Sequence, residues 1–241
     1  METRSHIAEF NAVVRLARKA QSVPHLRNPA SLANFLYHRW YLGQPIPWPA
    51  RTLPVQRRGP RSSGNLWRSW GGPEQEPAPA GGELARLQLA CAPHTALHAI
   101  TVTTRHADSW GVWWRLTSSA AGAPISAADA TILFLRVADV DAVLPAVAEL
   151  ATAVRPFLSH ARTPLTWNLA SGISLVQNPP DDADFGRHRC NLIAQAVTAN
   201  AQETQQDQVA AVLRAFEARG IDPTRPYVHD ADRWDLCLVT A

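Results

Sequence analysis

Hydrophobic residues recur three to four positions apart near both ends of the chain, a spacing typical of amphipathic helices. The first such segment places Ile7, Phe10, Val14 and Ala17 on one stripe. Helices are predicted for residues 5–21, 31–43, 140–160, 182–197 and 203–219. The second of these is expected to begin at a Ser31 cap, and the last is expected to stop at Gly220.

The middle of the chain is richer in strand-forming patterns. Strands are predicted for ELARLQLA, HAITVTT, WGVWWRLTS and ATILFLRV, which alternate in polarity or are rich in aromatic and β-branched residues. In the third segment, Trp113 and Arg115 share one face of the strand and Trp114 takes the other. Because the helices flank the strands without regular βαβ alternation, we expect an α+β fold. Its central sheet should be mostly antiparallel, between N- and C-terminal helices.

Residues 43–82 differ in composition from the rest of the chain. They combine many prolines with glycine, serine and arginine, which predicts irregular backbone. The stretch TPLTWNLASGISLVQNPPDD also reads as a loop. We expect residues 1–241 to form a single domain, with 43–82 as a Pro- and Arg-rich loop within it.

Composition narrows the class of protein. The chain has 241 residues, of which 46% are hydrophobic and 18% charged, as in an ordinary globular protein. It contains neither a long apolar run nor a signal-peptide pattern, so we expect a cytoplasmic protein. Its cysteines and histidines fall in no metal-binding spacing, and no disulfide framework is evident.

The basic residues are almost all arginine. Lys19 is the single lysine, and the formal net charge is +3. Arginine stays protonated at neutral pH, so a lysine base would have to be Lys19. Arginines mixed with tryptophans in residues 43–82 suggest nucleic acid as one ligand. The modest net charge and the lack of a nucleic-acid-binding motif argue against it, and a phosphorylated or acidic peptide fits the same charge.

The segment DADFGRHRCNLIAQAV places Arg187, His188 and Arg189 at the start of a predicted helix. Arg189 shares a face with apolar residues, so its guanidinium needs a carboxylate or a bound anion. The unpaired N–H groups of a helix start favour phosphate. Two interpretations remain open at this point: a phosphate site, or a structural bridge from Arg189 to Asp184 or another aspartate that anchors the preceding loop.

A second cationic pair lies in the helix SLANFLYHRWYLG. His38 and Arg39 stand between Tyr37 and Tyr41, whose rings share a helix face. The two rings either line a groove for a ligand or pack as half-buried side chains.

The order of motifs in the C-terminal third carries a family resemblance. RPFLSHARTPLTWNLASGISLVQNPPDDADFGRHRC followed by GIDPTRPYV resembles the HopA-like type III effector family, as do FLYHRWYLG and GNLWRSWGG nearer the N-terminus. Bacterial members of this family serve class V lanthipeptide and thioamitide biosynthesis. There a kinase-like phosphotransferase phosphorylates Ser or Thr of a precursor peptide, and the HopA-like lyase eliminates phosphate to leave dehydroalanine or dehydrobutyrine.

The resemblance implies roles for particular residues. Phosphate and substrate would be bound by Arg187, Arg189, Arg39, Tyr37 and Tyr41. His188 and His38 are the acid–base candidates, and the elimination needs no metal or organic cofactor. The partners implied are the phosphorylated precursor peptide and the kinase-like phosphotransferase, with no membrane.

The chain departs from the family pattern at the lysines. Family members usually carry one in a P-F-x-x-K segment and one after P-x-L-T, whereas GAPISAADATILFLRV has none and Trp167 follows the P-x-L-T motif. The alternative prediction is therefore a catalytically degenerate scaffold that binds the precursor peptide or the kinase-like partner.

Overall fold

The computed structural model describes residues 6–43, 66–72, 83–92, 94–119, 130–181 and 184–229. The α-helices of this part are α1 His6–Ala20, α2 Pro29–Leu36, α3 Ala96–Ser109, α4 Val140–Val154, α5 Phe185–Ala199 and α6 Gln205–Glu217. Helix α2 continues directly into a π-helical turn, Tyr37–Tyr41. No helix of this part is long and apolar enough to cross a membrane.

The strands form one six-stranded sheet. They are β1 Leu66–Gly71, β2 Leu84–Leu89, β3 Trp114–Ser119, β4 Thr131–Arg136, β5 Trp167–Ala170 and β6 Ile173–Gln177. Their order across the sheet is β1-β3-β4-β2-β6-β5, and every neighbouring pair is antiparallel. The prediction of an α+β fold with a central antiparallel sheet is confirmed.

The two faces of the sheet differ in polarity. One face is apolar and packs against α3 and α4 in a core that contains Leu87, Trp114, Leu133 and Leu175. On the other side of the sheet, α1, α2, α5 and α6 pack together around residues such as Phe10, Ile193 and Phe216, and this core reaches the sheet at Val176. Burying two apolar clusters on opposite sides holds the sheet between helices.

Two secondary-structure predictions are wrong. HAITVTT belongs to α3, where Ala99, Ile100, Thr103 and Ala107 are buried at helical spacing, so β-branched residues in a short window gave a false strand signal. The predicted loop after Thr163 contains the hairpin of β5 and β6. Gly172 makes its turn with a φ of +77°, a conformation that L side chains rarely adopt.

Two helix ends also differ from prediction. Helix α4 ends at Val154 rather than at residue 160, because a short 3-10 turn, Arg155–Phe157, follows it. Helix α2 is capped by Asn28 rather than Ser31, because the Asn28 side chain accepts hydrogen bonds from the N–H groups of Ala30 and Ser31. The predicted stop at Gly220 is confirmed by its φ of +71° just beyond α6. The prediction of irregular backbone for residues 43–82 is wrong for β1. Most of the remaining residues of this range lie outside the described part of the chain.

Candidate functional site

Asp184 caps the start of helix α5 and also forms an ion pair. Asp184 accepts a hydrogen bond from the N–H of Arg187 at 3.0 Å, and its other oxygen pairs with Arg86 of β2 at 2.9 Å. Arg86 also donates to Asn178, just after β6. The predicted bridge between Arg189 and Asp184 is therefore wrong: the carboxylate that was expected for Arg189 pairs with an arginine of the sheet.

Arg189 lies wholly inside the protein, with no exposed surface. Its Nε donates to the carbonyl of Pro226 at 2.9 Å, and an Nη2 donor reaches the carbonyl of Val228 at 3.4 Å. Its Nη1 lies 2.9 Å from Nδ1 of His188 and 3.0 Å from Nε2 of His229. Among the described residues, no carboxylate forms an ion pair with Arg189.

Burial determines the protonation of Arg189, His188 and His229. Burial, together with the positive charge of Arg189, lowers the pKa of His188 to about 4 and that of His229 to about 3. Burial also lowers the pKa of Arg189, to about 9, which still leaves the guanidinium charged at neutral pH. Both imidazoles are therefore neutral at pH 7, and the lone pair of His188 Nδ1 is engaged by Arg189.

The structure brings Arg187, Tyr37 and His38 together. The exposed Arg187 guanidinium lies over the Tyr37 ring, 4.3 Å from its centroid. The His38 ring is 5.3 Å from the same tyrosine, and both His38 and Arg39 are exposed on the π-helical turn. We call Arg187, Tyr37 and His38 the arginine–tyrosine shelf.

Tyr41 lies behind this shelf. It is buried, stacks parallel to Tyr37 at 5.7 Å, and its hydroxyl accepts a hydrogen bond from Gln88 of β2. Packing of Tyr41 therefore holds the shelf against the sheet. Because Tyr41 is buried, its predicted role in substrate binding could only be exerted through Tyr37, on which it stacks.

The sheet carries a cationic face that sequence reasoning missed. The arginines of the described strands, Arg68, Arg86, Arg115 and Arg136, all lie on the face opposite α3 and α4, as the strand registers require. The same strands contain no Asp or Glu. We call these four residues the cationic sheet face.

Aromatic contacts order part of this face. The guanidinium of Arg115 lies 4.7 Å, and that of Arg86 5.5 Å, from the centroid of the same Phe134 ring. Each arginine occupies a polar position in the alternating polar and apolar pattern of its own strand, so the sequence identifies each of them separately. Only the pairing of distant strands reveals that they share a face.

The P-x-L-T motif has a structural role. Leu165 has a φ of +58°, and its N–H donates to the Glu9 carboxylate of α1 at 2.7 Å. Burial opposes ionisation of Glu9, but hydrogen bonds from His6 and Leu165 and the nearby charge of Arg162 lower its pKa overall. Trp167, where the family pattern has lysine, stacks on Tyr227 at 6.0 Å.

No group of three or more His, Cys, Asp and Glu side chains suited to a metal ion occurs in the described part of the chain. The chemistry that these residues offer is that of cations, neutral imidazoles and aromatic rings. Such groups bind an oxyanion and donate or accept single protons.

Comparisons with known proteins agree with the motif order. No curated protein matches the chain. The effector protein from Pseudomonas syringae pv. syringae strain 61 has a similar structure, with a TM-score of 0.62 and 12% identity, covering 95% of this chain and 99% of that one.

A second solved structure, the effector protein from Pseudomonas syringae pv. tomato strain DC3000, has a TM-score of 0.53 and 12% identity, with coverage of 93% and 82%. At these identities the likeness shows a shared fold. The sequence profile of the HopA1 effector protein family matches residues 72–228, more than half of the chain. The protein therefore belongs to the HopA1 effector protein family.

Proposed function

We propose that this protein is a lyase of class V lanthipeptide or thioamitide biosynthesis, which eliminates phosphate from phosphoserine or phosphothreonine of a precursor peptide. The observation that carries the proposal is the cationic sheet face, whose strands contain no acidic residue. Arg86 of that face reaches the start of α5, beside the arginine–tyrosine shelf. A phosphorylated peptide is the kind of substrate that the exposed Arg68 and Arg187 attract, since Arg86 is buried and paired with Asp184.

The reaction would be a β-elimination. A base removes the proton on Cα, the Cα–Cβ double bond forms, and the Cβ–O bond breaks so that phosphate leaves with the bonding electrons. Arg187 would hold the phosphate dianion, with Tyr37 supporting its guanidinium; the family resemblance implies a second phosphate contact from Arg39, which is exposed on the π-helical turn. Cations fixed where negative charge develops lower the barrier of such a step.

The two candidate histidines differ in what they offer. His38 is exposed beside Tyr37 and is the base of this proposal. Nδ1 of His188 lies 2.9 Å from a donor of Arg189, so this neutral ring is suited to donating a hydrogen bond from Nε2 to the leaving phosphate rather than to removing the Cα proton.

The test is a mass measurement on a phosphothreonine-bearing precursor peptide incubated with the protein, with and without the kinase-like phosphotransferase. We expect loss of phosphoric acid. Arg187→Ala should slow it by about 10²- to 10³-fold, as removal of one transition-state donor does in other enzymes. Arg214→Ala, an exposed arginine of α6, is the matched control. Elimination in neither condition would contradict the proposal.

One observation favours a second candidate, a scaffold that binds the precursor peptide or the kinase-like partner without catalysis. Trp167 occupies the lysine position of the P-x-L-T motif in an aromatic stack with Tyr227, and Lys19, the single lysine, is exposed at the end of α1. Binding of the peptide or partner without any mass loss would support this function instead.

A further inference from the structure

Arg189 is a buried cation whose side-chain partners are neutral. Its donors go to the carbonyls of Pro226 and Val228 and to one nitrogen each of His188 and His229. A guanidinium has five N–H donors and no acceptor. Each imidazole nitrogen that faces Arg189 must therefore present a lone pair.

This contact fixes the tautomer of both rings. His188 accepts at Nδ1, so its proton is on Nε2; His229 accepts at Nε2, so its proton is on Nδ1. Within the described part of the chain, neither of these N–H groups has a hydrogen-bond acceptor. The two rings are partly exposed and pack edge to face, with centroids 4.9 Å apart.

We propose that the Nε2–H of His188 and the Nδ1–H of His229 form an anion-binding pair for a phosphate group, with Arg189 as the positioning residue behind both rings. A buried guanidinium without a carboxylate is costly, and a bound dianion would supply the missing counter-charge. The cation would also polarise both imidazoles and strengthen their N–H groups as donors. The site stands on this geometry, and it deepens the proposed lyase function because the same His188 donor would receive the leaving phosphate there.

Two further charged groups act on the histidine rings. Asp181, in the loop before α5, and Arg219, after α6, act on His188 in addition to Arg189, and Asp181 also acts on His229. Asp181 is exposed. Its negative charge opposes a bound anion, so Asp181→Asn should strengthen phosphate binding; weaker binding would contradict an anion site beside the two rings.

Two substitutions separate the outward donor from the inward acceptor. The side-chain oxygen of asparagine mimics Nδ1, so His188→Asn keeps an acceptor for Arg189 but loses the outward Nε2–H. The oxygen of glutamine mimics Nε2, so His229→Gln keeps its acceptor and loses the outward Nδ1–H. His25→Asn, at an exposed histidine of the turn Pro24–Arg27, is the matched control.

The experiment is a long-range ¹H–¹⁵N correlation of the histidine rings of the full chain at neutral pH, with inorganic phosphate as the first probe. We expect an Nε2–H tautomer for His188, an Nδ1–H tautomer for His229, and a shift of both N–H signals on addition of phosphate. His188→Asn and His229→Gln should each weaken phosphate binding by about tenfold or more, and His25→Asn should not change it.

A phosphothreonine peptide and its unphosphorylated form complete the test. Shifts with inorganic phosphate assign the site to free phosphate, and shifts with the phosphopeptide alone assign it to phosphate carried by a peptide. The opposite tautomers, or no shift with either phosphate source, would overturn the site. Phosphate binding in a protein without lyase activity would refute the proposed function and leave this site standing.

Discussion

The ring of Tyr41 lies directly against the backbone of Gly186 in the first turn of α5. A Cβ on Gly186 would lie 2.1 Å from Cε1 of that ring and 2.3 Å from its Cδ1, closer than any non-bonded contact allows. The ring has little freedom to move, because it is stacked on Tyr37 and its hydroxyl is hydrogen-bonded to Gln88. The glycine thus permits α5 to approach the π-helical turn and places Arg187 over Tyr37.

Gly186→Ala should therefore destabilise the fold by about 1–3 kcal/mol, the usual cost of overpacking. The sign is diagnostic, since the same change at an unobstructed helical position stabilises by about 1 kcal/mol. Urea unfolding would measure it. In a Tyr41→Ala background the substitution should become neutral or stabilising; equal destabilisation in both backgrounds would contradict the contact.

Acid should destabilise the protein through His188 and His229. Their pKa values are lowered to about 4 and about 3 in the folded state, whereas unfolded histidines titrate near about 6.5. Below about pH 6.5 the unfolded chain binds more protons, so stability present above that pH is lost as the pH falls towards about 4.

Unfolding measured near pH 7 and near pH 5 would check this linkage. The double variant His188→Asn, His229→Gln should lose less stability between the two pH values than the unaltered protein does. An identical loss in both proteins would assign the acid sensitivity to other groups, such as Glu9, whose pKa is lowered and whose contribution is lost at lower pH.

Glu9→Ala should loosen the P-x-L-T turn. Leu165 is fully buried, and its N–H donates to the Glu9 carboxylate. The positive φ of Leu165 must be stabilised by its surroundings. Leaving this donor unsatisfied costs about 1–3 kcal/mol. Glu149→Ala on the exposed side of α4 is the control and should change the free energy of unfolding by less than about 0.5 kcal/mol.

Arg86 and Asp184 should be energetically coupled. Arg86 is mostly buried and Asp184 is partly exposed, with a nitrogen–oxygen distance of 2.9 Å. Arg86→Ala removes the partner of a partly buried carboxylate, so a loss of about 3 kcal/mol is expected, as for other broken buried pairs. A double-mutant cycle with Asp184→Asn should give a coupling of at least about 0.5 kcal/mol. Strict additivity would mean that the pair contributes nothing beyond its separate hydrogen bonds.

Local patterns determined a large part of the architecture. The stripe of Phe10 and Val14, the runs ELARLQLA and ATILFLRV, and the glycine stop at Gly220 report burial and backbone constraints of a single segment, so the sequence alone predicts those elements. The motif order around α5 likewise sufficed for the family. The strand prediction for the short β-branched segment HAITVTT failed because helix and strand are close in free energy there. Packing against the sheet favours the helix, and the segment belongs to α3.

The sequence by itself therefore determined the α+β class and the concentration of positive charge at the start of α5, because both depend on residues close together in the chain. Only the tertiary structure decided which groups neutralise that charge. It paired Asp184 with Arg86, gave Arg189 two neutral histidines, and aligned the strand arginines on one face. Apart from the contact between the neighbours His188 and Arg189, these contacts join residues remote in the chain. Strand register and the placement of residues 226–229, rather than local spacing, set them.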